Sequence, residues 1–175
     1  ILSVIKKFGI SEKFNKNTLK EAKLIPQKVS DIELKNRVDL RNELIVTIDG
    51  KDSKDLDDAV SIERLKNGNF KLGVHIADVA HYVKEGSFLD NTAFERATST
   101  YLIDTVVPML PEELSNDICS LNPNVDRLSL SCIMQVDKKG KVLKYEICES
   151  VINTKYRLVY SDVSDILEAK KKDKF

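Results

Sequence analysis

The chain has 175 residues, of which 42% are hydrophobic and 32% are charged, so it is long enough for one compact domain with a core. Basic and acidic side chains balance at 28 each, which disfavours a free-standing nucleic-acid-binding module, because such modules are usually basic. No run of about 18 apolar residues occurs, so no membrane-spanning helix is predicted. Three cysteines without a CxxC pair predict reduced thiols in a cytoplasmic protein.

Residues 1–36 are predicted to form a charged, helical lead-in that packs on a main body made of residues 37–175. Gly9 and Pro26 are expected to end two helices, and Ser30 with Glu33 has the spacing of a capping box at the start of a third. The chain begins with Ile1 and has neither an initiator Met nor the pattern of a signal peptide. We therefore expect it to start inside a longer protein.

The main body is predicted to have an α+β fold, with a mixed, largely antiparallel sheet and flanking helices. Short apolar and β-branched runs indicate strands at residues 44–48, 57–62, 70–76, 128–136 and 142–154. Residues 67–69 and 137–140 have the composition of hairpin turns. Helices are predicted at residues 87–97, after Pro111, and from Ser161 into Lys170–Lys172, where a solvated helix end is favoured over a contact with phosphate.

Five aspartates fall within the ten residues 49–58, between two predicted strands. Two carboxylates about 4 Å apart repel by about 4 kcal/mol at an effective dielectric constant of 20, so convergence of several requires a cation. Hard oxygen ligands suit Mg²⁺, with Mn²⁺ as an alternative, and both metals take up phosphate oxygens. A bound metal of this kind can activate water in phosphodiester cleavage.

A metal site is not the only interpretation of this cluster. The aspartates could point outward on a polar loop. An EF-hand is excluded, because starting from Asp49, Asp52 or Asp55 the sixth residue is not glycine. The run from Asp55 to Asp58 also matches the Asp-x-Asp-Asp of some terpene cyclases, but the predicted strands do not suit an all-helical enzyme.

A series of motifs extends this cluster along most of residues 37–168. They are Thr47-Ile48-Asp49-Gly50, Asp55-Leu56-Asp57-Asp58-Ala59-Val60, Val74-His75-Ile76-Ala77-Asp78-Val79-Ala80-His81-Tyr82-Val83, Glu85-Gly86-Ser87, Val107-Pro108-Met109-Leu110-Pro111, Leu114-Ser115-Asn116, Cys119-Ser120-Leu121-Asn122-Pro123 and Asp126-Arg127. In this order and spacing, the series resembles the catalytic domain of the ribonuclease II/ribonuclease R superfamily, and the residues within the motifs are closer to those of ribonuclease R. The fold implied by the resemblance is the N-terminal part of an RNB-type catalytic domain.

The resemblance implies a processive, Mg²⁺-dependent 3′-to-5′ exoribonuclease that hydrolyses single-stranded RNA to nucleoside 5′-monophosphates. By position, Asp49, Asp55, Asp57 and Asp58 match the four active-site aspartates of the family and would be both catalytic and metal-binding. Asp49 and Asp58 are the first choices as direct ligands, while Asp52 has no counterpart and is interpreted as a solvated loop residue.

Two further side chains receive separate interpretations. Tyr101 matches a family tyrosine that stacks on a base near the RNA 3′ end, although a lone tyrosine is more often a core or surface residue. Asp104, close to it, departs from the family pattern. His75 lies on an apolar predicted strand, and burial with satisfied hydrogen bonds is favoured over catalysis.

The later family motif, which supplies arginines and a glutamate at the scissile phosphate, has no counterpart in this sequence. Cold-shock and S1-type RNA-binding domains are also absent and are expected in the rest of the parent chain. The segment alone is therefore expected to bind RNA weakly and to turn over little. Two alternatives stay open, a non-catalytic RNA-binding or regulatory module of the same fold and a different metal-dependent phosphoesterase.

Overall fold

The computed structural model describes residues 2–168, with side chains from Ile5 onward. They form two compact units, one made of residues up to 27 and 79–118, the other of residues 28–78 and 119 onward. The boundary drawn between residues 36 and 37 from the sequence stays a prediction. The final lysines, Lys170–Lys172, lie outside the described residues.

Both units contain short helices. Their bounds are α1 (Leu2–Lys7), α2 (Lys16–Ala22), α3 (Asp31–Leu34), α4 (Val79–Tyr82), α5 (Phe88–Arg96), a π-helix (Glu113–Ile118) and α6 (Tyr160–Leu167). Gly9 adopts a left-handed φ of 64° just after α1, and the capping box of α3 is present, with the Ser30 amide donating to Glu33 Oε2 at 2.6 Å. No helix in the described part of the chain is long and apolar enough to cross a membrane.

The first unit is held together by packing of α2 on α5. Thr18 Oγ1 lies 2.7 Å from Thr92 Oγ1 in the buried interface, and the Leu89 amide donates to Glu21 Oε2 at 3.1 Å. Apolar contact comes from Ala22 and Leu89, which are both fully buried. Ser87 caps α5 by accepting from the Asp90 amide, so the predicted start of this helix is confirmed.

Nine strands are present in the described residues. They are β1 (Val38–Asp39), β2 (Ile45–Asp49), β3 (Asp58–Arg64), β4 (Phe70–Ala77), β5 (Thr100–Tyr101), β6 (Val106–Val107), β7 (Asp126–Val136), β8 (Val142–Asn153) and β9 (Tyr156–Val159). β5 and β6 form a small hairpin in the first unit. The other seven form one sheet in the second unit, in the order β1-β8-β7-β4-β3-β2-β9.

This sheet is mixed and largely antiparallel, as predicted. Four neighbouring pairs, from β2 through β3, β4 and β7 to β8, are antiparallel. The two edge pairs, β1 with β8 and β2 with β9, are parallel. The predicted turns at residues 67–69 and 137–140 are confirmed, since Gly68 and Gly140 take the left-handed φ values of 83° and 84° that these hairpins need.

One face of the sheet carries a buried group of polar side chains, which we call the polar layer: Ser61, His75, Ser129, Ser131 and Ser150. All five are at most 8% exposed. Hydrogen bonds link them in series, from Ser61 to His75, to Ser131, to Ser150 and to Ser129, over distances of 2.6–3.1 Å. Each member has a partner, which is the condition under which burial of polar groups is tolerated.

The polar layer is joined to a buried ion pair. Arg37 lies just before β1 and donates to Asp78 Oδ2, and its side chain is 5% exposed. It also donates to the backbone oxygens of Ser129 and Ser150 at 3.5 and 3.4 Å. The guanidinium thereby ties residues before β1 to the centre of the sheet.

Candidate functional site

The candidate site lies where β2 separates from β3. β2 pairs with β3 on one edge at Ile45 and Val46, and with β9 on its other edge from Val46 to Asp49, which lies opposite Val159. β2 and β3 are therefore not hydrogen-bonded beyond Val46. Residues 50–57, which we call the acidic loop, connect them, with Asp49 at the end of β2 and Asp58 at the start of β3.

The C-terminal half of the acidic loop is fixed by Ser120. Its hydroxyl donates to the Lys54 oxygen at 2.8 Å and accepts from the Leu56 amide at 3.1 Å. The Leu121 amide donates to the Leu56 oxygen at 2.8 Å, and the Leu56 side chain is fully buried. Asp55 is thus held between two anchored residues.

The N-terminal half of the loop is fixed by Arg157 of β9. Nη2 of this arginine donates to the backbone oxygens of Gly50, Lys51 and Ser53 at 3.3, 2.9 and 2.6 Å. The Ser53 amide in turn donates to the Gly50 oxygen at 3.2 Å. The loop therefore curves around a guanidinium.

The loop brings carboxylates close enough to influence one another. Burial raises the pKa of Asp49. The charges of Asp58 and Asp55 raise this pKa further, whereas the charge of Arg157 lowers it. The pKa of Asp57 is also raised, first by lost hydration and then by Asp55, Asp58 and Asp49. Asp57 is exposed at the surface, so part of its hydration remains and repulsion from the three neighbouring carboxylates contributes to the shift. All four predicted aspartates therefore share one electrostatic environment.

One oxygen in this group has no partner. Oδ2 of Asp49 is buried and accepts no hydrogen bond. A buried acceptor without a donor costs about 1–3 kcal/mol, so such an atom suits a site that a cation completes. However, no three ligating side chains among residues 2–168 are arranged so that they could hold an ion. The carboxylate oxygens of this group thus suit a hard divalent cation in their chemistry and their location, but they do not converge on one point.

The remaining predicted residues lie as follows. Asp52 is exposed on the same loop, in line with a solvated position. Tyr101 belongs to the first unit, on β5, and is 64% exposed. Its neighbour Ile103 is fully exposed, and Asp104 is also exposed.

His75 is buried in the polar layer and is no part of the acidic loop. Burial lowers its pKa to about 4, with smaller effects from Glu43 and Lys71, and both ring nitrogens have hydroxyl partners. The prediction of satisfied burial is therefore confirmed. Cys119 is also buried, and burial followed by the charge of Asp57 raises the pKa of its thiol to about 12, so it is not a thiolate nucleophile.

A cavity of about 460 Å³ lies in the first unit, lined by residues that include Phe8, Asn15, Thr92 and Arg96. It contains none of the predicted site residues. Arg96 is held there by donation to the oxygens of Pro108 and Lys13, and its guanidinium lies 3.8 Å from the centre of the Phe14 ring. These contacts indicate a structural role for Arg96.

Sequence reasoning missed Ser120 and Arg157. Ser120 lies within the motif from Cys119 to Pro123, so closer attention to that motif would have found a candidate but not its bond to the loop. Arg157 contacts residues more than 100 positions earlier, and nothing in its local sequence indicates this.

Comparison with known proteins gives consistent results. The RNB domain family matches residues 37–174. Ribonuclease R of Thermotoga maritima is 54% identical over 168 residues, covering 95% of this chain and 24% of that protein. Ribonuclease R 2 of Lactococcus lactis is 52% identical over 167 residues, covering 95% of this chain and 25% of that protein.

A solved structure has the same fold. Mycoplasma genitalium RNase R in complex with ribose-methylated single-stranded RNA matches with a TM-score of 0.90 and 34% identity, over 98% of this chain and 27% of that chain. The chain therefore spans about a quarter of the length of the relatives it matches.

Proposed function

Because this chain belongs to the RNB domain family, we propose that it forms part of the catalytic domain of a 3′-to-5′ exoribonuclease. The proposed reaction is Mg²⁺-dependent hydrolysis of single-stranded RNA to nucleoside 5′-monophosphates. The observation that carries the proposal is the group of Asp49, Asp55, Asp57 and Asp58 at the acidic loop and its two flanking strand ends, in which neighbouring carboxylates raise the pKa of Asp49 and a buried oxygen of Asp49 has no donor.

The four aspartates are the proposed holders of Mg²⁺, with Mn²⁺ as an alternative. When bound, the metal would supply a Lewis acid and lower the pKa of a water for attack on phosphorus. Asp49 and Asp58, at the two strand ends, are the proposed direct ligands. Asp55 and Asp57 would complete the ligand set or orient the attacking water.

Tyr101 is the proposed contact for an RNA base. Tyr101 is 64% exposed, and stacking of an aromatic ring on a base contributes about 1–3 kcal/mol per base and tolerates any sequence. Single-stranded RNA as the substrate is supported by the RNA-bound RNase R of Mycoplasma genitalium.

Substantial activity is proposed for the longer protein and little for residues 1–175 alone. The chain spans about a quarter of its relatives, and its equal numbers of basic and acidic side chains suit weak binding to phosphate. Cold-shock and S1-type domains elsewhere in the parent would supply most of the RNA affinity. A cytoplasmic location is proposed because Cys119, Cys132 and Cys148 are all free.

The test compares the full-length protein with residues 1–175 on RNA labelled at its 5′ end, across a Mg²⁺ titration. Full-length protein should shorten linear RNA from the 3′ end and leave circular RNA intact. The isolated segment should degrade neither the linear nor the circular RNA. Cleavage of circular RNA would instead favour a different metal-dependent phosphoesterase, and full activity of the segment would refute the proposed need for the rest of the protein.

Asp58→Asn tests the site directly, with Asp52→Asn on the same loop as its control. Loss of an outer partner of a metal ligand already costs about 10–100-fold in activity, so Asp58→Asn should lower hydrolysis by more than about 100-fold. RNA affinity without metal should stay unchanged in both variants, and Asp52→Asn should retain activity. RNA binding without hydrolysis by the unmodified protein would favour the regulatory module.

A further inference from the structure

The contact between Arg157 and the acidic loop has an uncommon arrangement. Three backbone oxygens, from Gly50, Lys51 and Ser53, lie within 3.3 Å of one guanidinium nitrogen. The negative ends of their dipoles therefore point toward the same place. Such an arrangement is repulsive unless a cation lies at its centre.

The loop oxygens have no sheet ladder to join at this point. β2 separates from β3 after Val46, so the edge of its later residues that faces β3 has no ladder, while the other edge stays paired with β9. A guanidinium compensates for this loss, because it is always charged and carries five donors in a fixed plane. β9 thus supports the site twice, through its ladder to β2 and through the side chain of Arg157.

The influence of Arg157 is confined to one half of the loop. Ser120 holds Lys54 and Leu56, whereas Arg157 holds residues 50–53. The segment under its control is therefore the connection between Asp49 and Asp55.

We propose that Arg157 is a positioning residue for the candidate site, whose guanidinium fixes the curvature of residues 50–53 and with it the placement of Asp49 relative to Asp55. The expected effect of Arg157 on catalysis rests on the proposed function, whereas its effect on the conformation of the loop does not. Arg157 itself touches neither RNA nor the reacting atoms in this role.

The test uses the full-length protein with Arg157→Gln and Arg157→Lys. Arg64→Gln is the control, because Arg64 is an exposed arginine at the far end of β3, six residues or about 20 Å along the strand from Asp58. Hydrogen exchange of peptides covering residues 50–56 is measured first, without metal. Exchange should accelerate by about 10-fold in Arg157→Gln and by less in Arg157→Lys, which keeps the charge but not the fork of donors.

Binding of Mn²⁺, followed by the electron paramagnetic resonance of the free ion, provides the second measurement. The half-saturating concentration should rise by about 10–100-fold in Arg157→Gln, with a partial return in Arg157→Lys. The kcat for RNA should fall while KM stays close to that of the unmodified protein. Arg64→Gln should match the unmodified protein in every measurement.

The possible results separate this inference from the proposed function. Unchanged loop exchange in Arg157→Gln overturns the inference, even if the protein degrades RNA as proposed. Faster exchange in a protein that does not hydrolyse RNA overturns the proposed function and leaves the positioning role intact. Faster exchange with unchanged Mn²⁺ affinity and kcat overturns the link between loop curvature and the site.

Discussion

The polar layer and the acidic loop are two polar regions on one sheet, and they are built in opposite ways. In the polar layer, every member from Ser61 to Ser150 has a hydrogen-bond partner, and the region is buried. At the acidic loop and its flanking strand ends, neighbouring carboxylates raise the pKa of Asp49 and of Asp57, and Asp49 keeps a buried oxygen without a donor. The first arrangement stabilises the fold, whereas the second costs stability at neutral pH.

The difference shows where the chain gives up stability for a site. Buried serines and a histidine find partners in the polar layer, whereas near β2 the hydroxyls of Thr47 and Thr154 lack partners as well as Asp49 Oδ2, and Asp49 is the one of the three that carries a charge. An electrostatically unfavourable region next to a region with satisfied hydrogen bonds is expected where a bound external group completes the structure. The two regions should therefore respond to mutation with opposite signs.

The largest effect is expected at the ion pair beneath the polar layer. Arg37→Ala removes the buried counter-ion of Asp78 and two bonds to backbone oxygens, so the free energy of unfolding should fall by about 3–5 kcal/mol. Urea unfolding followed by circular dichroism measures this loss. Arg41→Ala is the control, since Arg41 pairs with Asp39 and Asp126 at the surface and should matter much less.

The next effect concerns the pH dependence that His75 gives to the polar layer. Its pKa is about 4 in the fold and about 6.5 when unfolded, so the folded protein favours the neutral ring. Its contribution is fully present above pH 6.5 and is lost as the pH falls toward 4, by about 3 kcal/mol in total.

The His75 contribution is measured as the difference between the unmodified chain and His75→Gln. Urea midpoints taken at intervals between pH 7 and pH 4 should fall more steeply for the unmodified chain. Parallel curves for the two proteins would mean that His75 is not held neutral by burial.

The smallest effect has the opposite sign and concerns Asp49, at the end of β2 where the acidic loop begins. Asp49→Asn removes one of the clustered charges, so in metal-free buffer at pH 7 it should raise the free energy of unfolding by about 1 kcal/mol. Because the pKa of Asp49 is raised in the fold, this gain is present at neutral pH and disappears as the pH falls and the carboxyl is protonated. The same variant should lose hydrolysis.

Thermal unfolding with and without Mn²⁺ completes this comparison. Mn²⁺ is expected to bind only the folded site, so it should raise the Tm of the unmodified protein. It should not raise the Tm of Asp49→Asn, which lacks one of the proposed metal ligands. Asp52→Asn should behave like the unmodified protein in both buffers. If Asp49→Asn were less stable than the unmodified protein, Asp49 would stabilise the fold, as the residues of the polar layer do.

Local sequence patterns predicted most of the sheet. The β-branched run before Asp49 gave β2, and the turn at Gly68 gave the hairpin of β3 and β4, because strands and turns of this kind depend on neighbouring residues. Short elements were missed, including β1, α4, the hairpin of β5 and β6, and β9. An element of two to four residues is defined by its tertiary partner and has no pattern of its own.

The same limit applies to the site. The aspartates could be grouped from their spacing, and family resemblance assigned them roles that remain predictions. The contacts of Ser120 and Arg157 could not be predicted, because each depends on a strand or segment that arrives from far along the chain. The side chains with the proposed chemistry were therefore easier to find than those that hold them in place.

The parallel pairing of β2 with β9 also sets an order of events during synthesis. All four aspartates leave the ribosome well before Tyr156–Val159, yet the strand beside Asp49 and the guanidinium inside the loop both belong to that late segment. Contacts between residues so distant in sequence form slowly, and chains fold from the N-terminus as they emerge. A nascent chain that ends before Tyr156 thus carries all four carboxylates without the strand and guanidinium that frame them, so the proposed metal-binding arrangement is completed only after β9 has been made.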